Sequence, residues 1–133
     1  MNPRYASVAR RAEHICEYCH APEAIFNFPF EIEHIVPLCR EGADDLENLA
    51  LACRSCNLHK AVYVTGFDSI TQRKLRLFDP RRDVWEQHFL VDLETGLISG
   101  ITEVGRGTVA RLEMNGAVQL TARRRWIRLG IFP

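Results

Sequence analysis

Residues 31–60 read EIEHIVPLCREGADDLENLALACRSCNLHK, placing Glu33-His34-Ile35-Val36-Pro37 upstream of Asn48 and of Cys53-Arg54-Ser55-Cys56-Asn57-Leu58-His59-Lys60. A second Cys-x-x-Cys pair, Cys16 and Cys19, precedes the stretch, with 33 residues between Cys19 and Cys53. Four cysteines in two such pairs can close a tetrahedral thiolate site around zinc, which favours sulfur and imposes no strong geometry of its own. Zinc on Cys16, Cys19, Cys53 and Cys56 would then act as a clamp that brackets the histidine segment and holds it in place. A rubredoxin-like iron site is the chemical rival, but it leaves the acidic-His segment and the lysine-terminated helix unexplained.

The 133 residues fit one domain, large enough for a modest core and small enough to gain from a metal staple. The expected division is a zinc-stapled core over 1–65 and an arginine-rich extension over 66–133 packed on it. There is no apolar run of about eighteen residues and no basic-then-apolar leader, so the expectation is a soluble, cytoplasmic protein with no membrane partner. Five cysteines is an odd number, and in a reducing compartment their spacing points to metal, with Cys39 left over. Net charge is zero, which counts against a nucleic-acid partner, yet its distribution is uneven. Residues 1–60 hold six Arg/Lys against nine Asp/Glu, and residues 61–133 hold eleven against eight. Arg73/Lys74/Arg76, Arg81/Arg82 and Arg123/Arg124/Arg125/Arg128 form clusters able to make forked contacts with phosphate, although solvated helix faces explain any one of them.

Hydropathy patterning predicts an α+β chain. Pro3, Tyr5, Val8, Ala9 and Ala12 suit a short amphipathic helix within 3–14 that delivers the first cysteine pair. The β-branched and aromatic residues of 25–38 suggest strand structure, with Phe28, Phe30 and Ile32 on one face and Glu31 and Glu33 on the other. Residues 39–48 form a polar loop, and a helix should open at the second cysteine pair and run through Lys60. Beyond it the expectation is an irregular connection over 66–80, a short helix over 81–89, a hairpin over 89–101, and helices from about 106 to 114 and 117 to 128.

With these residues in place, the chain resembles the HNH endonucleases of the ββα-metal (His-Me finger) group. Glu33-His34-Ile35-Val36-Pro37 is similar to the family's acidic-His-Ile-x-Pro signature, and Asn48-Leu49 to its central Asn-Leu. Cys53 to Lys60 is similar to its terminal Cys-x-x-Cys-(His/Asn)-x-x-Lys, and Cys16-Glu17-Tyr18-Cys19 to the zinc knuckle of the four-cysteine branch. Leu77 to Arg82 and Trp85 to Phe89 resemble an extension common in small bacterial members. Glu33 stands where aspartate is more frequent, and Asn57 where the family name expects histidine.

The resemblance implies a ββα-metal core and hydrolysis of DNA, expected to be double-stranded, by a one-metal mechanism that leaves 5′-phosphate and 3′-hydroxyl ends. His34 is the expected general base, since an imidazole titrating near ~6.5 can take a proton from water at neutral pH. Glu33 and Asn57 are expected to hold Mg²⁺ or Mn²⁺, for which oxygen donors suit, while Asn48 positions the loop between them. Lys60, Arg73, Lys74, Arg76, Arg81 and Arg82 are the expected DNA contacts. A monomer or homodimer fits equally well, and a zinc-dependent DNA-binding module without nuclease activity is the alternative function.

Overall fold

The computed structural model describes residues 2–132. Helix α1 spans Tyr5–Arg11 and buries Val8 and Ala9, the apolar positions that its sequence places one turn inside. It leads into a knuckle carrying Cys16 and Cys19, closed by a bridge between Ile15 and Pro22. Strand β1 is confined to Glu31–His34, because Glu23–Ile25 forms a 3₁₀ turn and the residues between are irregular. β1 pairs antiparallel with β2 (Leu49–Ala52) in a register that sets Glu33 opposite Ala50 and His34 opposite Leu49. Helix α2 follows over Arg54–Lys60, its first turn capped by the Cys53 sulfur accepting from the Cys56 N–H. Two strands and a helix therefore surround the knuckle in an α+β arrangement.

The strand face differs from expectation. Glu33 is buried, at 5% exposure, while Phe28 is 76% exposed and outside the strand. The Tyr18 hydroxyl and the Lys60 ammonium give the carboxylate a polar niche, which overrides simple alternation. Residues 66–80 are also not irregular: β3 (Thr65–Asp68) and β4 (Arg73–Arg76) form a hairpin. In place of the helix expected over 81–89 there is a 3₁₀ turn at Trp85–Gln87. The second expected hairpin is present as β5 (Phe89–Val91) and β6 (Ile98–Gly100), followed by α3 (Glu103–Arg111) and α4 (Ala117–Arg128).

Helix α3 lies directly on β3. A Cβ at Gly66 would come within 2.2 Å of the Gly107 carbonyl oxygen, so two glycines allow backbone to meet backbone. The apolar core runs from α1 and β2 through Leu77, Phe78 and Phe89 to Leu112 and Met114. Segments 1–65 and 66–133 meet where the Arg81 guanidinium pairs with Glu17 and where the Trp85 indole N–H donates to the Tyr18 carbonyl at 2.8 Å. Among the described residues no helix is long and apolar enough to cross a membrane.

Candidate active site and metal centre

The ligand atoms of Cys16, Cys19, Cys53 and Cys56 lie within 4.8 Å of one another, and all four residues are buried. Cys16 N–H closes the knuckle by donating to Ala21 O, and Glu17 N–H ties it to β2, just ahead of the α2 cap, by donating to Leu51 O, both at 2.9 Å. The Cys19 and Cys53 sulfurs stand 3.7 Å apart. Four thiolates at about 2.3 Å from a tetrahedral zinc have sulfurs roughly 3.8 Å apart, so the spacing fits that ion. Contact with Cys16 and the other thiols pushes Cys19 and Cys56 above the ordinary cysteine range and holds Cys53 below it. Four buried thiolates this close together repel one another, and a divalent cation at their centre offsets that repulsion. Cys39 is exposed and outside the cluster.

The strand-end pair and the helix residue meet at one surface. Glu33, His34 and Asn57 line a shallow concavity of about 370 Å³ whose rim includes Cys39 and Val62. Glu33 is anchored through a single oxygen: Oε1 accepts from the Tyr18 hydroxyl at 2.5 Å and faces Lys60 Nζ at 3.3 Å. Oε2 makes no protein hydrogen bond among the described residues and is not sealed from solvent. Burial pushes the Glu33 carboxyl above the usual carboxylate range, opposed by the Lys60 ammonium and the Tyr18 hydroxyl. The same burial, with the Glu33 charge beside it, raises the Tyr18 phenol well above its ordinary value.

His34 is fixed by Asp44, a residue sequence reasoning passed over. Its Nε2 lies 2.9 Å from Asp44 Oδ1, and the Arg4 guanidinium donates to the same oxygen at 3.1 Å. Asp44 is held below the usual carboxylate range by the His34 hydrogen bond and then by Arg4, so it is ionised and can only accept. Nε2 is therefore a donor, and in the neutral imidazole this places the lone pair on Nδ1. Asn48 secures the loop between them: Oδ1 accepts from Val36 N–H at 2.9 Å, and Nδ2 donates to Val36 O at 2.9 Å and Ala43 O at 2.7 Å. Gly42 completes the fold-back, since a Cβ there would sit 1.8 Å from Val36 O. The signal for Asp44 was faint because Asp44 and Asp45 are indistinguishable by type.

Two of the expected DNA contacts are corrected. Lys60 is 1% exposed, and its ammonium donates to the carbonyls of Ile35 at 2.9 Å and His34 at 3.3 Å, so it braces β1 from beneath and cannot reach a phosphate. Arg81 is mostly buried and ion-paired with Glu17. Arg76 forms a two-pronged pair with Asp83, at 2.7 and 3.0 Å, and Arg73 pairs with Glu103 at 3.3 Å. Lys74 and Arg82 are exposed, with Arg82 only 3.8 Å from Asp79. Arg40, absent from the expected set, donates Nε to Val62 O at 2.6 Å on the rim of the concavity. Its terminal nitrogens have no partner among the described residues.

Residues 16–62 match the family model described as HNH endonuclease, a span that holds all four clamp cysteines together with Glu33, His34, Asn48 and Asn57. Neither a curated protein nor a solved structure matches the chain. Four clustered cysteines, an antiparallel strand pair and the following helix coincide with the matched span, and the chain carries an HNH domain over residues 16–62.

Proposed function

We propose that the protein is an endonuclease that hydrolyses DNA phosphodiesters at the concavity formed by Glu33, His34 and Asn57. The observation that supports it most is the state of two side chains that line one concavity: Glu33 is tied by Oε1 alone and His34 by Nε2 alone, leaving Oε2 and Nδ1 without a protein partner among the described residues. Oxygen donors on Glu33 and Asn57 fit a hard divalent cation, Mg²⁺ or Mn²⁺, which when bound supplies positive charge to the phosphate and to the departing 3′ oxygen. His34 Nδ1 accepts a proton from water as its oxygen bonds to phosphorus. The bond from phosphorus to O3′ breaks, and the departing oxygen takes a proton from solvent water, giving 5′-phosphate and 3′-hydroxyl ends. Asp44 positions the imidazole, and the two free nitrogens of Arg40 grip an adjacent phosphate. Exposed Lys74, Arg82, Arg124 and Arg125 add backbone attraction without reading sequence. In this reading 1–65 and 66–133 form one domain, and one concavity per chain makes a nick the product of a monomer.

The test is supercoiled plasmid nicking with Mg²⁺ or Mn²⁺, comparing wild type with His34→Ala at matched zinc content and folding. The variant is expected to lose about 10²- to 10⁴-fold in rate. Equal nicking by both proteins would remove His34 from the chemistry, and binding without cleavage by either would favour the DNA-binding module.

A further inference from the structure

Helix α4 carries Arg123, Arg124, Arg125 and Arg128. Three are exposed, but Arg123 is 1% exposed and ranks among the largest fully buried side chains of the molecule. Its terminal nitrogens donate to Gly96 O at 2.8 Å, Met114 O at 2.6 Å and Asn115 Oδ1 at 3.3 Å, all neutral acceptors. Its Nε is buried with no partner. Three neutral acceptors satisfy most of the hydrogen bonds but not the charge, and a guanidinium taken out of water without a counter-charge is costly to fold around.

Among the described residues no carboxylate pairs with Arg123. Cys19, Cys53 and Cys56 share with Arg123 the lining of an apolar cavity of about 200 Å³ between α4 and the clamp. Four thiolates around a divalent ion carry a net charge of −2, whereas four neutral thiols offer the arginine nothing. A buried guanidinium with no carboxylate partner and a cysteine cluster that becomes a dianion on binding a divalent ion line one cavity.

We propose that Arg123 is the counter-cation of the zinc–tetrathiolate site, so that metal loading and docking of α4 stabilise one another. Zinc binding creates the charge that makes the buried guanidinium tolerable, and the docked guanidinium slows departure of zinc from its thiolates. The coupling is reciprocal because both events draw on the same interaction. It rests on the metal reading of the clamp and is independent of whether the protein cuts DNA.

The experiment measures zinc release from the loaded full chain into excess chromophoric chelator. Arg123→Met, which keeps bulk and loses charge, is expected to release zinc about tenfold faster than wild type, with Arg123→Lys between them. A Leu112→Ala control, whose lost packing lowers the melting temperature without touching charge, is expected to stay within about twofold of wild type. Release from Arg123→Met at the wild-type rate, or no faster than from Leu112→Ala, overturns the proposal. If Arg123→Met does not fold, wild type alone decides. Trypsin cleavage after Arg124 and Arg125 should accelerate in step with zinc loss, and an α4 that stays resistant in zinc-free protein overturns the coupling.

Discussion

Glu33 has two oxygens in different environments, and the difference is made by a tyrosine inside the first Cys-x-x-Cys. Tyr18 is fully buried and its hydroxyl meets Oε1, so Tyr18→Phe leaves that oxygen facing Lys60 alone. The substitution is expected to cost about 1–3 kcal/mol in denaturant unfolding at neutral pH with zinc in excess. Glu33's folded-state carboxyl is raised, so ionised Glu33 carries a penalty that grows as pH rises above its unfolded value and is relieved on acidification. The loss from Tyr18→Phe should therefore shrink toward pH ~4.5, and a loss independent of pH would show that the hydroxyl does not act on the carboxylate. At this scale residue types were legible and their orientations were not. A lysine ending a helix reads as a dipole partner or a phosphate contact, but α2 has seven residues and its last turn reaches beneath the His34 and Ile35 carbonyls at the end of β1.

Hairpin β3–β4 escaped reading because its inward face carries no apolar pattern. Along β3, Gly66 and Asp68 face inward while Phe67 is 50% exposed, the reverse of the usual alternation. Asp68 is tolerated there because Arg106 on α3 meets both of its oxygens, at 2.8 and 2.9 Å, and Thr71 Oγ1 and Ile70 N–H donate to it as well. The Arg106 guanidinium holds the carboxyl well below the usual carboxylate range. Its stabilising effect is thus complete above the unfolded value of about 3.9 and lost as pH falls toward the folded one. Asp68→Asn is expected to destabilise the protein at pH 7, and urea unfolding at successively lower pH should show the gap to wild type narrowing below about pH 4. A gap that stays constant would mean the ion pair contributes nothing to folding. Hairpin β5–β6 was legible for the opposite reason: the apolar runs Phe89-Leu90-Val91 and Leu97-Ile98 flank a Glu-Thr-Gly turn. The 3₁₀ turn at Trp85–Gln87 fell short of a helix because Asp83 accepts from Asp79 N–H and Arg76, fixing the chain in a loop.

Across the whole molecule, equal numbers of acidic and basic groups leave little long-range attraction for DNA, so in the proposed function local grips carry the interaction. Many arginines are already committed: Arg4, Arg73, Arg76, Arg81 and Arg106 to carboxylates, and Arg123 to the interior. Arg40→Gln is accordingly expected to flatten the log–log salt dependence of DNA binding by about 0.9, the share of one phosphate contact. Fluorescence anisotropy across a salt series measures it, and an unchanged slope would move the grip elsewhere. The clamp and the order of the HNH signature were readable because metal and loop geometry constrain spacing. The internal cross-links of the C-terminal half were not, because they join residues far apart in sequence, as Arg81 with Glu17 and Gln119 with Ser55.

The chain has two tryptophans, and they flank the metal clamp on different sides. Trp85 donates to the Tyr18 carbonyl and stacks on His20 with ring centroids 3.9 Å apart, inside the knuckle. Trp126 lines the cavity that Arg123 shares with Cys19, Cys53 and Cys56. The molecule therefore carries two built-in optical reporters: with one indole replaced by phenylalanine, emission from the other follows either the knuckle or the terminal helix, so loosening of each becomes a separate signal in one titration.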